Sequence, residues 1–361
     1  MHIPLCDIKA NYLKYKIAID SSISRVIDDS SYILGKEVSE FENEWSKYCG
    51  SKYCIGVSNA TNGLFLALKT MEIKEYDEVI IPTFTVTADI EAVLMAGAMP
   101  VLVDCNSRGN ISVDSIVKSI SKNTKAIIVV HMFGNAASIE EICNIAKRYN
   151  LLIIEDCSHA HGAEINGKKL GTFGNIGVFS FFPSKILGSF GDAGAVITDS
   201  KYYADKIAAY RDHGRIRGDK YTHAYAGYNM RLAGLQAAIL RAKIPYLDEC
   251  VKYRQMVAIN YNDGISGKVR PVITDTSKCV YYVYPVECED RNHMIELLKK
   301  NEIGTGIHYP VPIHKQPFYM EEYCDLQLPN SEKLSDKIFS LPMYPELNES
   351  DQNKIIKIIN E

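Results

Sequence analysis

Between Tyr53 and Asp199 the chain alternates short apolar runs with stretches of helical periodicity, and this alternation limits what it can fold into. The runs are "YCIGVSN", "DEVIIP", "MPVLVDC", "KAIIVVHMFG", "LLIIEDCSHA", "NIGVFSFF" and "GAVITD". Among them lie the helical patterns "NGLFLALKTM", "VTADIEAVLMAGA" and "SIEEICNIAKRYN". Short strands that are apolar throughout, separated by helices, belong in a mostly parallel sheet covered on both faces. The handedness of crossovers makes a doubly wound α/β layer the expected architecture.

Upstream, residues 10 to 50 read as helical, with Val38, Phe41 and Trp45 on one face. Downstream, "YNMRLAGLQAAILRAKIPYLDE" reads as one long amphipathic helix. After it come the strand "CVYYVYPVEC", the helix "RNHMIELLKKN" and the Pro-rich loop "HYPVPIHKQP", with longer irregular connections. The expected division is a large domain over 1–240 and a smaller α+β domain over 241–361, which suits a chain of 361 residues. There is no internal repeat and no low-complexity linker.

Composition excludes several classes of function. The net charge of −4 comes with no stripe of Lys and Arg, and the densest basic stretch, "RDHGRIRGDK", is diluted by Asp212 and Asp219. It reads as a polar loop, and no nucleic-acid partner is expected. The ten cysteines lack disulfide or zinc spacing: Cys49 and Cys54 have four residues between them, and most others sit singly in apolar runs. That is the usage of a reducing compartment. "MHIPLCDIKANY" has no apolar signal core and no run is long enough to span a bilayer, so a cytoplasmic protein without a membrane partner is expected.

Four segments carry chemistry. "VSNATNGLFLAL" passes from a strand through a small-residue turn into a helix, so Ser58, Asn59, Ala60 and Thr61 lie where free N–H groups favour an anion, although such turns are often plain helix caps. "LLIIEDCSHAHGA" ends a strand on Glu155 and Asp156, where a carboxylate faces the ligand crevice of a parallel sheet or caps the next turn. His159 and His161 follow without a third ligand at suitable spacing, so no metal is expected. "FSFFPSKILGSFGDAGAVITD" sets Lys185 among Phe181, Phe182, Pro183, Ile186 and Leu187, with Ser180 at the strand end. Apolar surroundings disfavour the charged lysine and prime it as a nucleophilic amine, unless the side chain simply snorkels to water. "GYNMRL" supplies Asn229 and Arg231, and "GIHYPVPIHKQP" supplies His308, Tyr309 and His314, as a substrate wall or as packed turns.

An anion cradle, a crevice Asp and an amine Lys on one α/β sheet are together what pyridoxal 5'-phosphate requires. Its aldehyde takes the lysine, its pyridine nitrogen a carboxylate, its phosphate the cradle.

The sequence resembles the DegT/DnrJ-type sugar-nucleotide aminotransferases over essentially its whole length. The resemblance rests on the order and spacing of "YILGKEVSEFE", "GVSNATNGLFLAL", "IEDCSHAHGA", "FSFFPSKILGSFGDAGA", "GYNMRLAGLQAA", "TGIHYPVPIHKQP" and "SLPMYPEL". It implies an aminotransferase type I fold and a homodimer with shared active sites. Lys185 would carry the cofactor as a Schiff base, and Asp156 would partner the pyridinium nitrogen. Ala60, Thr61 and Ser180 would lie at the cofactor's phosphate and Asn59 at the cofactor, with Asn229 reaching the phosphate of the partner subunit's cofactor. Arg231, His308 and Tyr309 would lie near the sugar nucleotide.

Three positions depart from the family pattern. His159 stands where Gln usually faces the phenolic oxygen and can make the same hydrogen bond. Val86 stands where an aromatic ring usually lies against the cofactor, a loss that Phe84 or another ring would have to offset. Ala60 replaces the cradle's usual glycine. The implied reaction moves an amino group from glutamate to a keto group of a nucleotide-linked hexose, with a 3-keto sugar favoured by "HYPVPIHKQP". The setting it implies is the synthesis of surface polysaccharide, lipopolysaccharide or glycosylated natural products. The alternatives are a sugar dehydratase, in which the lysine is typically His, and a non-catalytic regulatory relative.

Overall fold

A computed structural model describes residues 2–216 and 218–361. Met1 of the N-terminal segment and Arg217 of the basic stretch fall outside the described residues. All seven expected runs become strands of one sheet. They are β1 (Tyr53–Val57), β2 (Glu78–Pro82), β3 (Met99–Val103), β4 (Thr124–Val130) and β5 (Leu152–Asp156), then, after a short hairpin of β6 (Glu164–Ile165) and β7 (Lys168–Lys169), β8 (Ile176–Ser180) and β9 (Gly194–Thr198). The order is β1-β9-β8-β5-β4-β2-β3. Only β9 runs against its neighbours, pairing antiparallel with both β1 and β8. The loop from β8 to β9 carries no helix, and a strand that returns without a crossover helix pairs antiparallel.

The apolar runs are continuous because both sheet faces are covered. Consecutive residues point to opposite sides: Ile81, Ile128 and Ile154 enter one core, Ile80, Ile127 and Ile153 the other. Each such side chain, buried completely, contributes about 1.5–3 kcal/mol. The covering helices are α1 (Ile8–Asp28), α2 (Lys36–Cys49), α3 (Ala60–Thr70), α4 (Ala88–Met95), α5 (Val113–Ser119), α6 (Ile139–Tyr149) and α7 (Lys201–Tyr210). The helical reading of residues 10 to 50 thus resolves into two helices, the second burying Val38, Phe41 and Trp45 as expected. Gly35 takes extended backbone at its N-cap.

The long helix expected across residue 240 is also two, α8 (Gly234–Lys243) and α9 (Leu247–Gly264). A 3-10 turn containing Pro245 divides them, since proline lacks the N–H that a continuous helix would use. A second, antiparallel sheet follows, ordered β10 (Val269–Pro271), β11 (Tyr284–Cys288), β12 (Ile338–Leu341). With it come α10 (Arg291–Lys300), α11 (Met320–Tyr323), α12 (Pro329–Lys337) and α13 (Glu349–Asn360).

This C-terminal part is tied to the first sheet at the ends of β2 and β3. Ile313 N–H donates to the Thr83 carbonyl (3.0 Å), His314 Nδ1 lies 2.8 Å from Thr83 Oγ1, and Ser331 N–H donates to Asp104 Oδ1 (2.8 Å). All ten cysteines are free thiols. No described helix is long and apolar enough to cross a membrane.

Candidate active site

The carboxyl ends of β1, β2, β4, β5 and β8 lie along one edge of the sheet, where loops converge on a crevice. Asp156, the last residue of β5, is buried and accepts Ser158 N–H at Oδ1 (2.8 Å). Its neighbour Glu155 points into the other face. There it accepts N–H groups of Gly171, Phe173 and Gly174 and faces His131 Nε2 at 3.0 Å, which occupies it structurally. His131, Glu155 and Cys157 are close enough together to resemble a metal site, but those hydrogen bonds already take up Glu155.

Lys185 sits in the turn after β8, its N–H donating to Phe182 O. Its Nζ lies 4.3 Å from the centroid of the Tyr282 ring. Burial pulls its pKa down to about 8, against the opposing pull of Asp156 and Asp89. The burial that lowers the amine's proton affinity is of the kind the apolar flank leads one to expect.

Tyr282 also stacks on His159, with centroids 4.3 Å apart and planes at 24°. Burial, then the Lys185 charge, push the His159 pKa well below its ordinary value, so the ring is neutral. Its Nδ1 accepts Phe133 N–H (3.3 Å), which leaves the proton on Nε2 as a donor. His161 is different: Nε2 bonds Ser180 O at 2.8 Å and the ring packs among Trp45, Phe179 and Phe181, as a core histidine.

His308 faces Tyr282 edge-on, bonds Ser340 Oγ through Nδ1 (3.0 Å), and is held neutral by burial, its pKa lowered to about 4. Tyr309 packs edge-on against Phe84, and burial raises its phenol pKa. Phe84 itself is fully buried against Phe133 and Tyr309, leaving no open ring face, whereas Val86 is 41% exposed. The aromatic ring that borders the Lys185 amine is Tyr282. His314, offered as substrate wall, instead turns inward between Thr83 and Glu332.

The cradle forms at the start of α3. Asn59 is the N-cap, its side chain accepting Asn62 N–H (2.8 Å), so Ala60 and Thr61 present the helix's first N–H groups. Gly194, opposite Ser180 and Val57 at the start of β9, lets this turn approach closely: a Cβ there would stand 2.6 Å from the Asn59 carbonyl carbon. Asn229 and Arg231 run beside the end of β1, where Ser58 N–H donates to Met230 O. Asn229 is exposed, and Arg231 is paired with Asp212 at 2.7 Å.

One chain therefore brings Lys185, Asp156, His159, His308 and Tyr309 together, with the cradle alongside and Asn229 and Arg231 beyond it. Sequence reasoning missed Tyr282, one of several tyrosines in an apolar run, and Asp89. Asp89 stands in the first turn of α4, where an acid reads as a helix-dipole partner.

The residues fit pyridoxal phosphate: a half-buried amine of lowered proton affinity, a buried carboxylate at the end of β5, and N–H groups at a helix start where a glycine permits close approach.

The sequence profile of the DegT/DnrJ/EryC1/StrS aminotransferase family matches residues 16–360. The chain is similar to the dTDP-3-amino-3,6-dideoxy-alpha-D-galactopyranose transaminase of Aneurinibacillus thermoaerophilus, at 39% identity over 99% of each chain. It is 37% identical to the UDP-2-acetamido-2-deoxy-3-oxo-D-glucuronate aminotransferase of Pseudomonas aeruginosa, over 99% of this chain and 98% of that one. Its fold is like that of S. venezuelae DesV, solved in complex with a ketimine intermediate: TM-score 0.96 at 34% identity, covering 99% of this chain and 98% of that one.

Proposed function

The chain belongs to the DegT/DnrJ/EryC1/StrS aminotransferase family, and we propose from that premise that it aminates the keto group at carbon three of a nucleotide-linked hexose. The amino donor is glutamate, and the setting is the cytoplasmic synthesis of amino sugars for surface polysaccharide or natural products. The observation that carries the reading is the Lys185 amine, half-buried beside Asp156 at the carboxyl edge of the sheet.

The family depends on pyridoxal 5'-phosphate, which when bound supplies an electron sink and carries the amino group from donor to acceptor. Lys185 holds it covalently and, once released, moves a proton from and to substrate carbon through Nζ. An amine whose pKa is near 8 is suited to both tasks at neutral pH. Asp156 keeps the proton on the ring nitrogen. His159, neutral with its proton on Nε2, donates to the phenolic oxygen as Gln does elsewhere in the family. Ala60 and Thr61 N–H groups, with the Ser180 hydroxyl, bind the phosphate. Tyr282 and His159 wall off water beside Nζ. His308, Tyr309 and Arg231 face the sugar nucleotide.

The active form is a homodimer with shared sites. The exposure of Asn229 on the single chain supports its service to the partner's cofactor. Lys185 itself speaks for amino transfer over dehydration.

The test is the visible spectrum of the reconstituted protein before and after glutamate. The expected result is an absorption band that glutamate shifts to shorter wavelength and a nucleotide-linked 3-keto sugar restores. Lys185→Ala should lower turnover by at least about a thousandfold. A band indifferent to glutamate, or a variant with near-normal turnover, would overturn the assignment.

A further inference from the structure

Asp89 is a second buried acid at the site, and none of the roles above uses it. It lies in the first turn of α4, fully buried, with Oδ2 accepting the Thr85 hydroxyl at 2.7 Å. Its Oδ1 is also buried and has no hydrogen-bond donor among the described residues. The group within hydrogen-bonding reach is the carboxyl of Asp156, which likewise has no proton to give when ionised. Two carboxylates cannot both stay ionised in contact without water, so one of them keeps a proton. Asp156 already accepts a backbone N–H, that of Ser158, on Oδ1. Asp89 has only the Thr85 hydroxyl. Burial, then the Asp156 charge, drive its pKa well up.

The other groups that act on Asp89 do not reverse this. Glu91, two residues along α4, adds negative charge. Lys185, from the loop after β8, acts on both acids at longer range, and Tyr309, from the C-terminal part, is a neutral phenol.

We propose that Asp89 is a positioning residue that stays protonated at neutral pH and donates its Oδ1 proton to Asp156. The inference rests on the reading of Asp156 as the ring-nitrogen carboxylate. The donated hydrogen bond orients that carboxylate and stabilises its charge, so the proton between Asp156 and the pyridine nitrogen stays on nitrogen. A neutral second acid also keeps the site from carrying two adjacent negative charges before the cofactor enters.

The experiment is infrared spectroscopy of the full-length protein, with and without pyridoxal phosphate, in wild type and Asp89→Asn. A protonated-carboxyl C=O absorption is expected at neutral pH in the wild type, both with and without cofactor, and it should vanish in the variant. No such difference overturns the proposal. Aspartate-labelled wild-type protein gives the same answer without a substitution: one aspartic acid protonated at neutral pH supports it, none refutes it.

Cofactor affinity supplies the second readout. Asparagine can still donate to Asp156, so Asp89→Ala should bind pyridoxal phosphate about tenfold more weakly than Asp89→Asn, or worse. Equal affinities would refute a donor role. The carboxyl measurement succeeds or fails without cofactor, whereas failure of the aminotransferase reading appears as wild-type protein that forms no visible band.

Discussion

Gly194→Ala tests the cradle directly, because the obstruction it creates is all main chain. The new Cβ would stand 2.6 Å from the Asn59 carbonyl carbon, 2.8 Å from its oxygen and 2.9 Å from Ala60 N. Ordinary contact begins near 3.4 Å, so β9 and the start of α3 must part by at least about 0.8 Å. No flexible side chain is there to yield. Overpacking of this kind costs about 1–3 kcal/mol of stability. The same movement displaces the N–H groups of Ala60 and Thr61. Loss of one hydrogen bond to a charged phosphate is worth about 1.5–3 kcal/mol, or roughly ten- to a hundredfold in affinity. The assay is titration of the apoprotein with pyridoxal phosphate and, in parallel, with phosphate-free pyridoxal, followed by the visible band. Gly194→Ala should lower the affinity for the phosphate ester and leave that for pyridoxal largely unchanged, while thermal unfolding moves down. Equal losses for both ligands, or wild-type affinity with wild-type unfolding, would refute the reasoning.

The lowered pKa of Lys185 makes two linked predictions. Cofactor capture by the apoprotein should quicken about tenfold per pH unit at low pH and level off near pH 8, where the free amine saturates; a rise that continues to the ordinary lysine value of 10.5 contradicts the placement. Because the folded state binds this proton less tightly than the unfolded state, Lys185 costs stability below pH 8, a cost relieved as pH climbs from about 8 to 10.5. Lys185→Met apoprotein should therefore be more stable than wild type at neutral pH, by a margin that shrinks over that window in urea titrations. Glu155→Gln should unfold the protein about 3 kcal/mol more easily, because it disturbs a buried carboxylate bonded to three N–H groups and His131; stability within experimental error of wild type would show those bonds to be incidental.

The sheet was legible because its strands are apolar on both faces and cannot be mistaken for amphipathic helix. Helix ends were less so: Gly35 and Pro245 break what periodicity alone reads as continuous. At the site, Lys185 and Asp156 stood out because a lysine among phenylalanines and an acid at a strand end contradict their neighbours. Asp89 and Tyr282 contradict nothing locally. An acid suits a helix's first turn and a tyrosine suits a half-buried apolar run such as the one leading into β11, so only the folding of distant segments onto one another gives them a role. His314 is the converse, a polar residue in a suggestive loop whose partners, Thr83 and Glu332, lie elsewhere in the fold and hold it inward.

The ties from Thr83 and Asp104 to the C-terminal part bear on how this chain can be divided. Thr83 and Asp104 are buried at the strand ends that frame the crevice, and the Thr83 hydroxyl and Asp104 Oδ2 take their partners from residues beyond position 300. A fragment ending after α9 would keep every residue proposed to hold the cofactor, yet leave the Thr83 hydroxyl and Asp104 Oδ2 without those partners. The chain through α9 is thus no self-contained unit; the rim at the ends of β2 and β3 is finished by the chain's last sixty residues.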